Sequence, residues 1–347
     1  MKRFFLYFCG FILVFFIAPA ICTATPKKEQ EPTVDTIAEQ NEEKNGNTQN
    51  NETISSTFST QQDNRTIKLL HSKTGNVEEI SLNEYLYGVV SSEMPAMYEI
   101  EALKAQAVVA RTYTIYQIIN NTSKHENADI CDNYACCQAW ISKDDRFAKW
   151  NSEEAEGNWN KIVEAVNLTD GKIVTYEGKP INAFFHSNSG GITESSVNIW
   201  GGIDYPYLKS VETSGEDGYT QYNSQVQLSK KDLLNKLKEK YTDCEIDFSQ
   251  ENCIQILEYT TSGRVKTIKF GNKEIAGTEA RTILGLKSTN FNFSINGENI
   301  IFEVTGYGHG VGMSQTGADC MAKNGSDYIN IIKHFYTNIE ISELNSL

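Results

Sequence analysis

The sequence predicts an α+β domain behind an apolar N-terminal segment and a polar tether, on three observations. Strand-like and helix-like stretches interleave without a regular β-α-β spacing. One long segment, residues 99–120, repeats apolar or small side chains at helical steps, while residues 254–304 read as a meander of short strands. Finally, residues 23–65 are nearly devoid of large apolar side chains and rich in Glu, Gln, Asn and Thr.

The elements follow in order. Lys2 and Arg3 precede an uncharged run over residues 4–22, 19 positions long. At about 1.5 Å per residue this nearly spans a hydrocarbon core. Residues 1–22 are therefore expected to be an uncleaved membrane anchor with the basic end cytoplasmic. A cleaved signal peptide is the rival, with Ala18-Pro19-Ala20 near its end. Residues 23–65 cannot bury enough surface to offset their ordering entropy and are expected to form a flexible linker. The folded domain is expected over 66–347.

Within it, residues 66–71 and 77–80 flank Thr74-Gly75-Asn76 as a hairpin. Ser81 and Glu84 have capping-box form and start a helix that must end before Pro95. In the next helix Ile100, Leu103, Ala107, Ala110 and Thr114 make one buried stripe. Residues 172–176 and 180–186 read as a second hairpin, 229–240 as an exposed amphipathic helix, and 326–338 as a last helix.

Composition excludes some functions. The 347 residues carry 31 Lys+Arg against 45 Asp+Glu, a formal charge of −14. A nucleic-acid binder needs a clustered basic face, so that class is set aside. Residues 1–65 hold six basic and eight acidic side chains, so the acidity belongs to the folded part. Eight cysteines are too few for a disulfide framework. Cys244 and Cys253 are close enough in sequence to pair, and Cys320 is expected on a buried helix face.

Four clusters can carry chemistry. Glu93 lies where one helix stops and another starts, with few charges beside it. A carboxyl at a partly apolar junction tends to hold its proton, as a general acid must, although an acid near a helix N-terminus is also commonplace. Phe184-Phe185-His186-Ser187-Asn188-Ser189-Gly190-Gly191 ends a strand in a small polar loop that lets a ligand approach backbone closely. A plain strand-to-turn transition would look similar, and a His-Ser neighbour pair is not triad geometry. Gly306-Tyr307-Gly308-His309-Gly310-Val311-Gly312-Met313-Ser314-Gln315 is either a ligand-facing loop presenting His309, Ser314 and Gln315 or a bend with bulges. No βαβ unit surrounds it, so it is not a dinucleotide fingerprint. Last, His125, Cys131, Cys136 and Cys137 fall within 13 residues. They suit a structural Cys₃His zinc site, whereas an exported chain could instead join Cys131 to Cys136 or Cys137 as a disulfide.

Three separated blocks in one order closely resemble the stage II sporulation protein D family, which includes amidase-enhancer proteins. They are SLNEYLYGVVSSEMPAMYEIEALKAQAVVARTY (81–113), FFHSNSGGITESS (184–196) with Trp200, and GYGHGVGMSQTGADCMAKNG (306–325). The resemblance covers roughly residues 66–340. It implies a peptidoglycan lytic transglycosylase that cuts the MurNAc-β-1,4-GlcNAc bond, leaves a 1,6-anhydro end and needs no cofactor for the chemistry. It further implies action at the sporulation septum during engulfment, on glycan strands stripped of stem peptides, beside a membrane-anchored amidase and a polytopic partner. Glu93 inherits the role of catalytic acid, and Ser92 stands where relatives often carry Gly. The implied glycan groove takes His186, Ser187, Ser189, Gly190, His309, Ser314 and Gln315. Arg111 and Tyr113 on the long helix are expected to orient Glu93 or bind glycan, or else to do ordinary core work. The acidic surface is expected to repel intact peptidoglycan and to spare neutral stripped strands. A non-catalytic glycan-binding enhancer of an amidase is the alternative function.

Overall fold

The structure is a computed structural model and describes residues 65–120 and 125–346. The expected anchor and nearly all of the expected linker lie outside the described residues. Among the described residues no helix is long and apolar enough to cross a membrane.

In chain order the elements are β1 (Thr66–Leu70), β2 (Val77–Ser81), α1 (Leu82–Glu93), α2 (Ile100–Ile119), β3 (Ile130–Cys131), α3 (Lys143–Phe147) and α4 (Ser152–Asn167). Then come β4 (Lys172–Tyr176), β5 (Lys179–Pro180), β6 (Phe185–His186), α5 (Ser196–Trp200), β7 (Asn223–Ser229) and α6 (Lys230–Lys238). The chain continues with β8 (Ile254–Tyr259), β9 (Val265–Phe270), β10 (Lys273–Ala276), α7 (Gly277–Leu284), β11 (Phe291–Asn296) and β12 (Asn299–Thr305). It closes with β13 (Met313–Ser314), α8 (Gln315–Lys323), α9 (Tyr328–Phe335) and β14 (Glu340–Glu343). Helices and small, mostly antiparallel sheets confirm the α+β class.

Two hydrophobic cores share one compact unit. In the first, α2 is the axis, packed against α1, α4, α8, α9 and β4. It is buried on nearly all sides rather than along one stripe. Its interior polar residues make this possible: Thr112 and Thr114 donate to the carbonyls of Val108 and Ala110 at 2.7 and 2.9 Å, so neither hydroxyl goes unpaired. The second core is an insertion between residues 222 and 306. Sheets β10-β9-β8 and β11-β12-β7 carry α6 and α7. Its entry and exit strands are neighbours in register, Asn223 opposite Thr305, and the Gly306 N–H donates to Tyr222 O at 2.6 Å. The insertion is therefore not the unbroken meander expected, because α7 interrupts it. Burial of Ala280 and Leu284 on one face drives that helix.

Other expectations also change. The second hairpin forms but is shorter than expected: Lys179 and Pro180 pair antiparallel with Tyr176 and Thr175, and the Ile181 N–H donates to Val174 O at 3.1 Å before the returning strand leaves β4. Phe185 and His186 turn away and pair in parallel with Met313 and Ser314. That short parallel ladder brings two of the three motif blocks together, and two isolated bridges, Asn188–Tyr307 antiparallel and Glu194–Val311 parallel, join them further. Gly312 is required there: at φ 71° its missing Cβ would stand 2.0 Å from Phe184 O. Cys244 and Cys253 are both free and buried in the second core, and Cys320 is free and only half-buried.

Candidate functional site

A cleft of about 730 Å³ opens where these blocks meet, with Glu93 in its wall. The residue before a proline is pushed out of helical geometry; Met94 is extended ahead of Pro95, so α1 stops at Glu93 and leaves its carboxyl at the helix end. Two groups hold it. The Ala139 N–H donates to Oε1 at 2.9 Å, and the Gln315 side-chain amide donates to Oε2 at 3.3 Å. Burial raises the Glu93 pKa from its ordinary value, and these two donors only partly oppose the rise. The Ala139 donor is itself fixed, because Gln138 donates to Tyr85 Oη at 3.1 Å and to Thr114 Oγ1 at 3.0 Å.

The rest of the lining is mostly aromatic. Tyr113, Phe184, Trp200, Tyr307, His186 and His309 line the cleft together with Ser187. Trp200 is 49% exposed and Tyr307 39%, with the Lys287 ammonium over the Tyr307 ring, 4.3 Å from its centroid. The His309 ring lies 5.1 Å from Trp200 and 5.6 Å from His186, centroid to centroid. His186 Nδ1 donates to Val311 O at 3.1 Å, which fixes Nε2 as an acceptor; it is buried and unpartnered. Burial depresses the His186 pKa to about 4 and pushes that of His309 well down, so both rings are uncharged at neutral pH. Among the described residues lining the cleft, Glu93 is the one carboxylate and Arg281 the one Lys or Arg.

Several expected groove residues lie elsewhere. Ser189 and Ser314 are fully buried and donate, with Thr213 and Thr316, to the carboxylate of Glu216. The Ser189 and Gly191 backbone N–H groups add two bonds of 3.1 Å each. Burial would raise the Glu216 pKa, yet the Ser189, Ser314 and Thr213 hydroxyls hold it down at about 2. Gly190 forms the turn above this cage, and its missing Cβ would stand 3.0 Å from Thr305. Arg111 does not line the cleft. It is fully buried and caps the C-terminal end of α4, donating to the carbonyls of Thr169 at 2.8 Å and Val166 at 3.3 Å. Gln315 reaches the site through Glu93.

His125, Cys131, Cys136 and Cys137 converge, with their four ligand atoms within 4.8 Å of one another. His125 Nε2 is 3.6 Å from both the Cys136 and Cys137 sulfurs, and those sulfurs are 3.9 Å apart. A tetrahedron with Zn–S near 2.3 Å and Zn–N near 2.0 Å has edges of about 3.5–3.8 Å, so the spacing fits such an ion. A disulfide needs sulfurs about 2.05 Å apart, and all three cysteines are free. Cys136 and Cys137 also wall the cleft.

Sequence reasoning missed Glu216, Arg281, Gln138, Tyr116, Tyr134 and Tyr205. The short-range signals for the tyrosines were weak, and the two charged residues are placed by chain segments far from the motif blocks.

The family profile described as stage II sporulation protein matches residues 70–176. The chain is 38% identical over 272 residues to stage II sporulation protein D of Bacillus amyloliquefaciens, covering 78% of this chain and 77% of that protein. It is 36% identical over the same length to the protein of that name from Bacillus subtilis (strain 168), with the same coverage. It is also 30% identical over 298 residues to a Bacillus subtilis protein named amidase enhancer, covering 72% of this chain and 39% of that one.

Proposed function

The chain belongs to the stage II sporulation protein D family, and from that premise we propose that it is a peptidoglycan lytic transglycosylase with Glu93 as its single acid and base. The observation that carries this reading is one carboxylate of raised pKa in an aromatic-walled cleft whose one other ionised lining residue, among those described, is Arg281. Water-using glycosidases need a second carboxyl group, about 5–9.5 Å from the first. Among the described residues lining the cleft there is none.

One carboxyl suffices if the sugar supplies the nucleophile. Glu93 gives its proton to the glycosidic oxygen, and the bond from that oxygen to C1 of muramic acid breaks. The Glu93 carboxylate then takes the proton of the 6-hydroxyl of the same sugar while O6 bonds to C1. A 1,6-anhydro end results, and Glu93 is protonated again. Proximity within one ring stands in for the second carboxylate. Trp200 and Tyr307 offer exposed aromatic surface to the sugars, and neutral His186 and His309 offer polar edges.

The proposed setting is the cell membrane, with residues 1–22 as single-pass anchor, the domain outside, and engulfment of the forespore as the occasion. An amidase and a polytopic engulfment protein are the proposed partners. His125, Cys131, Cys136 and Cys137 are proposed to hold a structural zinc ion. It would brace the strap that runs straight on to Gln138 and the Ala139 donor of Glu93. Removing metal should therefore lower the thermal midpoint and activity together, and zinc should restore both; a chelated protein of unchanged midpoint would contradict the assignment.

Product analysis in H₂¹⁸O tests the reaction class. Purified sacculi treated first with an amidase should release anhydro-ended saccharides without ¹⁸O at C1. Reducing ends carrying ¹⁸O would make the protein a hydrolase. The likeness to a protein named amidase enhancer favours one second reading, a glycan-binding enhancer; strand binding and faster amidase turnover with no soluble glycan product would select it.

A further inference from the structure

Arg281 stands apart in the cleft. It comes from α7 in the inserted core, whereas the other cleft residues named above belong to the first core or the motif blocks. Its Nε–H is tied back to Leu286 O at 3.4 Å, in the turn that ends its own helix. No carboxylate among the described residues forms an ion pair with it. Burial pushes its pKa down, and the Tyr307 hydroxyl is the one group opposing that. An arginine that is partly buried, held at one edge and left without a counter-ion carries a desolvation cost with no return inside the protein. With Glu93 protonated, as the acid step requires, and both histidines neutral, Arg281 is the one charge among the described residues that line the cleft, and the Lys287 ammonium beside it lies over the Tyr307 ring, 4.3 Å from the centroid. The rest of the domain is acidic, so the cleft is a cationic spot in an anionic surface.

The missing counter-ion must then arrive with the ligand. A glycan strand of N-acetylglucosamine and muramic acid has one ionisable group of its own, the lactyl carboxyl at O3 of muramic acid. In intact peptidoglycan that carboxyl is an amide to the stem peptide and carries no charge. Amide hydrolysis frees it, so a stripped strand is anionic, not neutral, at every second sugar. We propose that Arg281 is a specificity residue that pairs with the free lactyl carboxylate and thereby selects strands from which the stem peptide has been removed. This rests on the glycan-cleaving reading of the same cleft. The planar guanidinium suits two parallel hydrogen bonds to a carboxylate, and an amide can accept only one. The stem peptide's own carboxylates are the competing source of the same chemistry.

The test uses the full-length chain as the non-cutting Glu93→Gln variant and measures affinity by titration calorimetry at low and high salt. Three probes share one tetrasaccharide backbone: lactyl carboxyls free, lactyl carboxyls converted to methylamides, and lactyl carboxyls bearing stem peptides. With Arg281 present, the free acid should bind about tenfold tighter than the methylamide, as expected for a charge-assisted pair at a partly buried site, and salt should narrow the gap. Arg281→Gln should bring the ratio close to one, and Arg281→Lys should restore part of it. The thermal midpoint of each variant is read alongside, and the lysine variant keeps the test open if the glutamine variant fails to fold. A ratio of one with Arg281 present, an unchanged ratio in Arg281→Gln, or tightest binding of the peptide-bearing probe would each overturn the proposal. The proposed reaction can fail independently: absence of anhydro ends from the wild-type protein would remove the transglycosylase while these affinity ratios still decide what Arg281 reads.

Discussion

Two glutamates sit a short way apart in the fold and have opposite chemistry. Glu93 has two donors, one of them a long amide contact, and burial raises its pKa. Glu216 is also shielded, with 1% of its surface exposed, yet six N–H and O–H groups converge on it and its pKa falls to about 2. Burial pushes both the same way; the number of donors decides the sign. The sparsely supported carboxyl keeps a proton to give away. The fully supported one is a permanent anion that ties together the 187–191 loop, the 213–216 turn and the start of α8. The molecule thus separates its catalytic acid from its structural one by hydrogen bonding, not by depth.

The largest expected effect comes from breaking the cage. Glu216→Gln turns one acceptor oxygen into an NH₂ that faces donors, and should cost about 3 kcal/mol or more of stability in urea titration. Activity should fall only as far as the fold does. A loss below about 1 kcal/mol would show that the donors find other partners.

Acid titration separates the two carboxyls next. The folded pKa of Glu216 lies below its unfolded one, near 4.5, so its contribution is present above that pH and is lost as pH falls towards about 2. The difference corresponds to about 3 kcal/mol. The Glu216→Gln protein should lack this part of the acid slope. Glu93 has the other sign: its folded pKa is raised, so its favourable contribution exists at low pH and disappears as pH rises through the folded value. Glu93→Gln should therefore raise the thermal midpoint at pH 8 and leave it nearly unchanged at pH 4. Equal effects at both pH values would contradict the raised pKa.

The smallest effect sharpens the comparison instead of breaking it. Gln315→Ala removes one of the two donors to Glu93. The alkaline limb of the rate–pH profile should move to higher pH, because the ionised form has lost a partner, while the maximal rate changes by less than about tenfold.

The comparison also marks what could be read from the chain alone. Glu93 was legible because a capping box starts α1 and Pro95 ends it, both local signals. The three motif blocks were legible as blocks. What they do was only half legible: Ser189 and Ser314 look like sugar-binding hydroxyls, and nothing local says that both point inward to Glu216, which lies in an acidic, turn-like Ser-Gly-Glu-Asp-Gly stretch. Arg111 falls to the same limitation, since its carbonyl partners are more than fifty residues away. Helix α4 is a different case. No helix was expected there, although its Asn151 cap and the spacing of Ala155, Trp159, Ile162 and Val166 were local signals of the helix that forms. The inserted core could not be foreseen as separate, because its boundaries are set by the β7–β12 pairing, a contact between chain ends some eighty residues apart.

The central claim is that Glu93 alone moves the proton. It is tested most directly by incubating amidase-stripped glycan strands with wild-type and Glu93→Gln protein, and measuring anhydro-ended products by mass spectrometry with the thermal midpoint of each sample. The account predicts a loss of about 10²–10⁴-fold in anhydro product from a variant that remains folded. Anhydro ends released by folded Glu93→Gln protein at the wild-type rate would contradict it.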